Sequence, residues 1–356
     1  MNNHKSNKIL VVGAGIVGCT VAYELDRLHY KVHLMDNDHK DSSSTIAAGL
    51  FNPITGKRWL KTWMADEIFP YMSNYYKEFE KSFHVKLFHQ IGLFKPFDSV
   101  QEQNNWASQL TDEAYQNWVE IKSANEIKEK TVVAPFGGFY VPKAGWLDTR
   151  MYISSIINYF QEKSAFEILH IDAVKITEVS KKYDSIIFCE GWKATMNPLW
   201  KWLPFNLCKG ELIEVESNDY FGNYINNKSV FVLPISEIKY KIGSTYEWHN
   251  LNYDITQEAK DELVSKANKF ILSPLKVTNQ WAGIRPSTSD RRPFLGVHPE
   301  HSNLYIVNGF GSKAVSLTPY FINEFVKYYT EGKELMPEID IKRFLDYFYK
   351  HKHTNS

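Results

Sequence analysis

One short run near the start constrains this chain more than any other: Lys8-Ile-Leu-Val-Val-Gly13-Ala-Gly15-Ile-Val-Gly18, then a helical stretch, then Lys31-Val-His-Leu-Met-Asp36. The pattern predicts a strand, a glycine turn, a helix over Val17–Leu28 and a second strand that ends in a carboxylate. Gly13 allows a tight turn off the strand. Gly15 lets a pyrophosphate approach the backbone and the helix N-terminus, and Gly18 lets the helix pack close to the sheet. Asp36, about twenty residues on, is placed to accept hydrogen bonds from an adenosine ribose. The pattern therefore points to a bound dinucleotide. The plainer alternative is a glycine turn in an unrelated βαβ unit.

With 356 residues the chain is too long for one typical core, so two domains are expected. Formal charge sums to zero and Lys/Arg blocks are short, so no nucleic-acid footprint stands out. Cys19, Cys189 and Cys208 are odd in number and widely spaced, with no paired metal spacing. That fits a reducing compartment and no disulfide scaffold. The polar Met1–Lys8 segment leads straight into the first strand, and no apolar run is long enough to span a bilayer, so a cytoplasmic protein is the default expectation. Nothing in the sequence sets an oligomeric state.

Downstream, Asn37–Ser44 reads as a polar loop, and Ala47-Ala48-Gly49-Leu50 offers small residues for close approach to a flat ring system. Lys57 and Arg58 are either an anion contact or a solvated turn. A helix broken or kinked near Pro70 is expected over residues 59–83. Strands are expected at Leu87–Pro96 and Gly137–Val141 with a polar helical region between them, then a helix at Asp148–Lys163. Strands follow at Phe166–Ile171 and Ala173–Val179, and within Tyr183–Trp192 a short buried one capped by Gly191, which is either where ligands bind in an open parallel sheet or a plain strand-ending turn. An antiparallel region begins at Pro204 and includes Val230–Pro234 and Lys239–Tyr246; a charged helix covers Ile255–Ile271. Arg285 precedes Pro286 and is biased to an extended backbone; it suits either a bidentate carboxylate clamp or a structural salt bridge. Leu304–Asn308 then runs through Gly309, Gly311, Ser312 and Lys313 into a helix, repeating the opening motif. Lys313 is either a cation beside a ligand or a solvent-facing lysine at a helix start. His351 and His353 read as solvated tail rather than metal ligands.

Taken together, the segments Gly13–Gly18, Asp36, Ala47–Leu50, Asp184–Gly191, Gly210, Ile242–Thr245, Gly283–Pro286, Asp290, Pro293–Gly296 and Asn308–Lys313 resemble the D-amino-acid oxidase family of FAD-dependent oxidoreductases, which includes glycine and sarcosine oxidases. Gly311-Ser312-Lys313 followed by Leu317-Thr318-Pro319 is also similar to the oxidase module of the bifunctional tRNA wobble-uridine modification enzyme, although the chain has no room for the methyltransferase half.

The resemblance implies an α/β fold: a discontinuous Rossmann-like FAD-binding domain (1–82, 146–205 and 284–350), an interleaved α+β substrate domain dominated by an antiparallel sheet (83–145 and 206–283), and a short tail (351–356). It implies non-covalent FAD, with Gly13, Gly15 and Gly18 on the pyrophosphate and Asp36 on the ribose. Ala48, Gly49 and Leu50 would approach the isoalloxazine and Val174 the adenine. Gly191 would line the cofactor channel. Gly309, Gly311, Ser312 and Lys313 would sit near the flavin's pyrimidine end, and Arg285 would hold a substrate carboxylate. Lys241, where sarcosine oxidase has a lysine that promotes reaction with oxygen, turns either into the site or outward. Tyr246 is a hydrogen-bond donor or a packing residue. Two positions depart from the family pattern: Asp36 replaces the more usual Glu, and Cys189-Glu190 stands where Ala-Thr is frequent.

The implied chemistry is oxidation of the C–N bond of a small amino acid or secondary amine carrying a carboxylate, with O2 or another acceptor taking the electrons. A tRNA-modifying oxidase is the alternative, which the neutral net charge does not favour. A flavin-binding protein without turnover is the third reading.

Overall fold

The computed structural model describes residues 7–37, 42–56, 59–169 and 179–355. They form two compact units, Met1–Ala47 with Thr149–Cys208 and Ile284–Ser356, and Ala48–Asp148 with Lys209–Gly283.

The first unit is built on a six-stranded sheet. Its strands are β1 (Lys8–Val12), β2 (Lys31–Asp36), β3 (Phe166–Ile168), β4 (Ser185–Phe188), β5 (Phe294–His298) and β6 (His301–Asn308), in the order β3-β2-β1-β4-β6-β5. All pairings are parallel except β5 with β6. Ile9 to Val12 and all of β4 are buried, so both read as continuous apolar runs rather than alternating ones. That is the signature of a parallel sheet covered on both faces.

Helices α1 (Ile16–Arg27), α2 (Ser43–Ile46), α3 (Thr149–Glu162), α4 (Ala314–Glu331) and α5 (Leu345–Asn355) complete this unit. α1 packs against α4 and α3, and Thr20 Oγ1 bonds Tyr152 Oη of α3 at 2.8 Å. Leu10, Met35, Ile186, Phe188, Trp200, Phe294 and Ile306 fill one core; each such side chain contributes about 1.5–3 kcal/mol by leaving water. In open sheets of this kind ligands bind beyond the carboxyl ends of the strands; Asp36 ends its strand there, and Gly13, Gly191 and Gly309 follow theirs.

The second unit carries an eight-stranded sheet in the order Lys276–Arg285, Cys208–Glu216, Lys239–Gly243, Phe231–Pro234, Ile225–Asn227, Leu93–Pro96, Gly138–Val141, Glu120–Lys122. Its described pairings are antiparallel, apart from Ile225–Asn227 with Leu93–Pro96. Phe94, Ile213, Val215, Phe221, Val232, Tyr240, Ile242, Leu263 and Phe270 form its core.

Residues 48–82, expected with the first domain, belong to the second unit. The helix Ala65–Phe83 explains this, since its Tyr76 stacks on Phe88 of a short strand in that unit. The helix starts at Ala65 rather than Trp59 and continues through Pro70. Lys239–Gly243 stops short of the expected Tyr246. Lys57, Arg58 and Val174 lie outside the described residues.

Candidate active site

The opening motif folds as its glycines require. Gly13 has φ +102°, in the region that favours glycine, and its N–H donates to Met35 O at 2.7 Å. A Cβ on Gly13 would meet Cys189 O at 2.5 Å, and one on Gly18 would meet Gly13 O at 1.8 Å. The turn and the close approach of α1 to the sheet therefore both exclude a side chain.

Gly15 is the N-cap of α1, which has no acidic residue in its first turn. The first helical amide, Ile16 N–H, is held by Ser44 Oγ at 3.2 Å. Asp36 closes β2; its carbonyl accepts from Leu169 N–H at 2.8 Å and its Oδ2 is buried.

A second glycine turn lies on the other side of β4. The Asn308 side chain ties two strand ends together: its Nδ2 donates to Gly191 O at 2.9 Å and its Oδ1 accepts from Gly309 N–H at 2.8 Å. Gly191 has φ +59° with open space where a Cβ would stand. Gly309 has φ +79°, and a Cβ there would meet Thr288 Cγ2 at 2.5 Å. Gly311–Lys313 makes one 3-10 turn into α4, which again has no side-chain cap and no acid in its first turn. Ser312 and Lys313 are exposed at this helix start. Crowding by surrounding atoms pushes the Lys313 ammonium below the usual lysine range, and Arg292 and Arg291 act in the same direction.

Arg285 ends its strand in the first unit. Ser43 Oγ donates to the preceding carbonyl, Ile284 O, at 2.5 Å; Ser287 N–H donates to Arg285 O at 2.9 Å. Its Nη1 lies 3.5 Å from Cys208 Sγ. The neighbouring serines Ser43 and Ser44 thus link the Arg285 strand end to the start of α1.

Burial, then Asp36 and Cys189, push the Cys19 thiol up. Burial and Glu190 push up Cys189. Burial raises Glu190 to about 7, with an Asn197 hydrogen bond and Lys193 opposing.

Gly13, Gly15, Gly18, Asp36, Gly191, Gly309, Gly311, Ser312, Lys313 and Arg285 all lie in the first unit; Ala48, Gly49, Leu50, Lys241 and Tyr246 lie in the second. Gly49 has a structural duty of its own: with φ +73°, a Cβ would stand 1.9 Å from Leu147 O, whose N–H donates back to Gly49 O at 3.0 Å. Lys241 is half-buried and alternates with Tyr240 and Ile242 of the core, so it lies on the opposite sheet face, opposite Glu214 and Leu233. Tyr246 is 61% exposed and stacks on Trp248, with ring centroids 6.1 Å apart. It is not a core packing residue.

Ser43, Ser44 and the Asn308 amide were not singled out from the sequence. Their partners lie 241, 28 and 117 residues away, so no local pattern marks them.

The cradle suits a dinucleotide. Glycines that a Cβ would fill, an open space at Gly191, two helix starts without acids and a carboxylate at the end of β2 match the pyrophosphate and ribose of FAD. Among the described residues, no helix is long and apolar enough to cross a membrane.

The chain is 21% identical over 345 residues to glycine oxidase of Pseudomonas aeruginosa, covering 88% of this chain and 92% of that protein. It is 20% identical over 363 residues to the tRNA 5-methylaminomethyl-2-thiouridine biosynthesis bifunctional protein MnmC of Legionella pneumophila, covering 87% of this chain and only 52% of that protein. In fold it is similar to glycine oxidase from Geobacillus kaustophilus, with TM-score 0.76 and 17% identity over 95% of this chain and 98% of the other. The family model for FAD dependent oxidoreductases (DAO) matches residues 8–321. The chain belongs to that family, and it is an FAD-dependent oxidoreductase.

Proposed function

We propose that the protein oxidises the C–N bond of a small amino acid or secondary amine that carries a carboxylate. The observation that carries this reading is Arg285, a cation at a strand end braced through Ser43 and Ile284 in the same unit as the FAD cradle. A braced guanidinium binds a carboxylate bidentately and fixes its orientation. Bound FAD supplies the two-electron oxidation. The resulting imine is hydrolysed by water to a carbonyl and an amine, with O2 or another carrier as final acceptor. Lys313, at the bare start of α4, contributes positive charge to the cofactor site.

Purified protein assayed against glycine, sarcosine, iminodiacetate and D-amino acids tests the reading. A charge-assisted pair is worth about 1.5–3 kcal/mol, so Arg285→Ala should raise KM for a carboxylate substrate about tenfold to hundredfold with FAD still bound. Equal turnover of amines lacking the carboxylate would contradict it.

The similarity to the tRNA-modifying protein supports a second reading, in which the amine is a carboxymethylaminomethyl group on a wobble uridine. Hypomodified tRNA belongs in the same panel. Turnover of tRNA with none of the free amino acids would favour this reading over the first.

A further inference from the structure

The acid that follows Cys189 plays no part in the oxidation described above, yet it lies in the wall of the FAD cradle. A Cβ on Gly13 would stand 3.3 Å from Glu190 Cα, so the backbone at Glu190 abuts the first glycine of the pyrophosphate turn. On its other side is Gly191, with its open space and its carbonyl held by Asn308. The Glu190 side chain is mostly withdrawn from solvent. Its Oε2 accepts from Asn197 Nδ2 at 2.9 Å, and Asn197 Oδ1 accepts from Leu199 N–H at 3.0 Å. Among the described residues, no cation lies within ion-pair distance of this carboxyl.

We propose that Glu190 is a cofactor-site residue that must be protonated for tight FAD binding, so that the protein takes up one proton from solvent onto the Glu190 carboxyl as the pyrophosphate enters the Gly13–Gly18 cradle. An ionised carboxylate and a pyrophosphate are like charges in a poorly solvated place, and each disfavours the other. The neutral acid keeps its acceptor for Asn197 and removes the repulsion.

Burial raises this group to about 7, with the Asn197 hydrogen bond and Lys193 opposing. An adjacent anion raises it further. The sign follows: affinity is highest while the acid is protonated and falls as pH rises through and above neutrality. The titratable groups that act on it or that it acts on are Lys193 on its own turn and Cys189 just after β4, and Cys189 in turn acts on Cys19 of α1, which Asp36 of β2 also reaches. Burial holds the two thiols in their neutral form.

The test is FAD titration of apoprotein, followed by quenching of flavin fluorescence, between about pH 6 and pH 9. One unit of additional shift corresponds to a tenfold change in Kd, so the wild type should weaken about tenfold across that range. Glu190→Gln, which retains an acceptor for Asn197, should bind at alkaline pH as tightly as the wild type does at acid pH, with a flat profile. Calorimetry in two buffers of different ionisation enthalpy should show proton uptake by the wild type and none by the variant. If the variant does not fold, proton uptake by the wild type decides alone.

The proposal is overturned by a wild-type Kd independent of pH without proton uptake. It is also overturned by tighter binding at high pH, which would make the ionised acid a hydrogen-bond acceptor for the cofactor. A variant that keeps the wild-type slope, or is weakened equally at every pH, overturns it as well.

Discussion

Three helices of the second unit and two of the first begin in opposite ways. In the second unit, Ser99, Asp112 and Thr256 accept hydrogen bonds from Glu102, Ala114 and Ala259 N–H, and each of these helices carries an acid in its first turn. Such ends satisfy their own amides and dipole. In the first unit, α1 and α4 start at Gly15 and Lys313, with no N-cap side-chain bond and no first-turn acid. A self-capped start satisfies its own amides and dipole, whereas the starts of α1 and α4 leave the positive end of the dipole without an acid, which favours an anion there.

The largest way to break this contrast is Gly18→Ala. Its Cβ would overlap Gly13 O, so α1 must move off the sheet. We expect a loss of about 3 kcal/mol in unfolding free energy and a protein purified without flavin; a yellow, fully stable variant would refute the steric account. Next comes a matched pair of serine deletions. Ser99→Ala should cost about 1 kcal/mol in thermal or urea unfolding and leave the Kd for FAD unchanged. Ser44→Ala should cost a similar amount and also weaken FAD, because Ser44 holds the first amide of α1. The smallest effect has opposite signs in two measurements. Ser312→Asp adds an acid at the start of α4, so it should stabilise the apoprotein by about 0.3–1 kcal/mol while weakening FAD binding. If both quantities move the same way, the α4 terminus is not an anion site.

The β1–α1–β2 unit was legible in the sequence because its signal is local, the spacing of Gly13 and Gly18 and the carboxylate at Asp36, even though the atom that would meet a Cβ on Gly13 belongs to the distant Cys189. The antiparallel character of the second unit was legible for the same reason, as was the return of the strand–glycine–helix pattern at Asn308–Lys313. What stayed hidden depends on chain segments meeting from far apart. The Ser-rich run before Ala47 reads as a polar loop until Ser43 and Ser44 meet Ile284 and Ile16. Gly49 invites a ring-approach reading, yet Leu147 alone demands a glycine there. Residues 48–82 follow the cofactor motif in sequence but pack through Tyr76 and Phe88 with the second unit. Tyr246 shows the limit of strand extrapolation, since the strand ends at Gly243 and leaves it exposed.

The account rests on one chemical claim: FAD in the Gly13–Gly18 cradle is reduced by an amine whose carboxylate is held by Arg285. Anaerobic mixing of the purified holoenzyme with a carboxylate-bearing amine and with its decarboxylated analogue, followed by the visible absorbance of the flavin, tests it directly. The account predicts bleaching by the first and not by the second, with the bleaching strongly slowed in Arg285→Ala. Bleaching by both alike, or by neither, would contradict it.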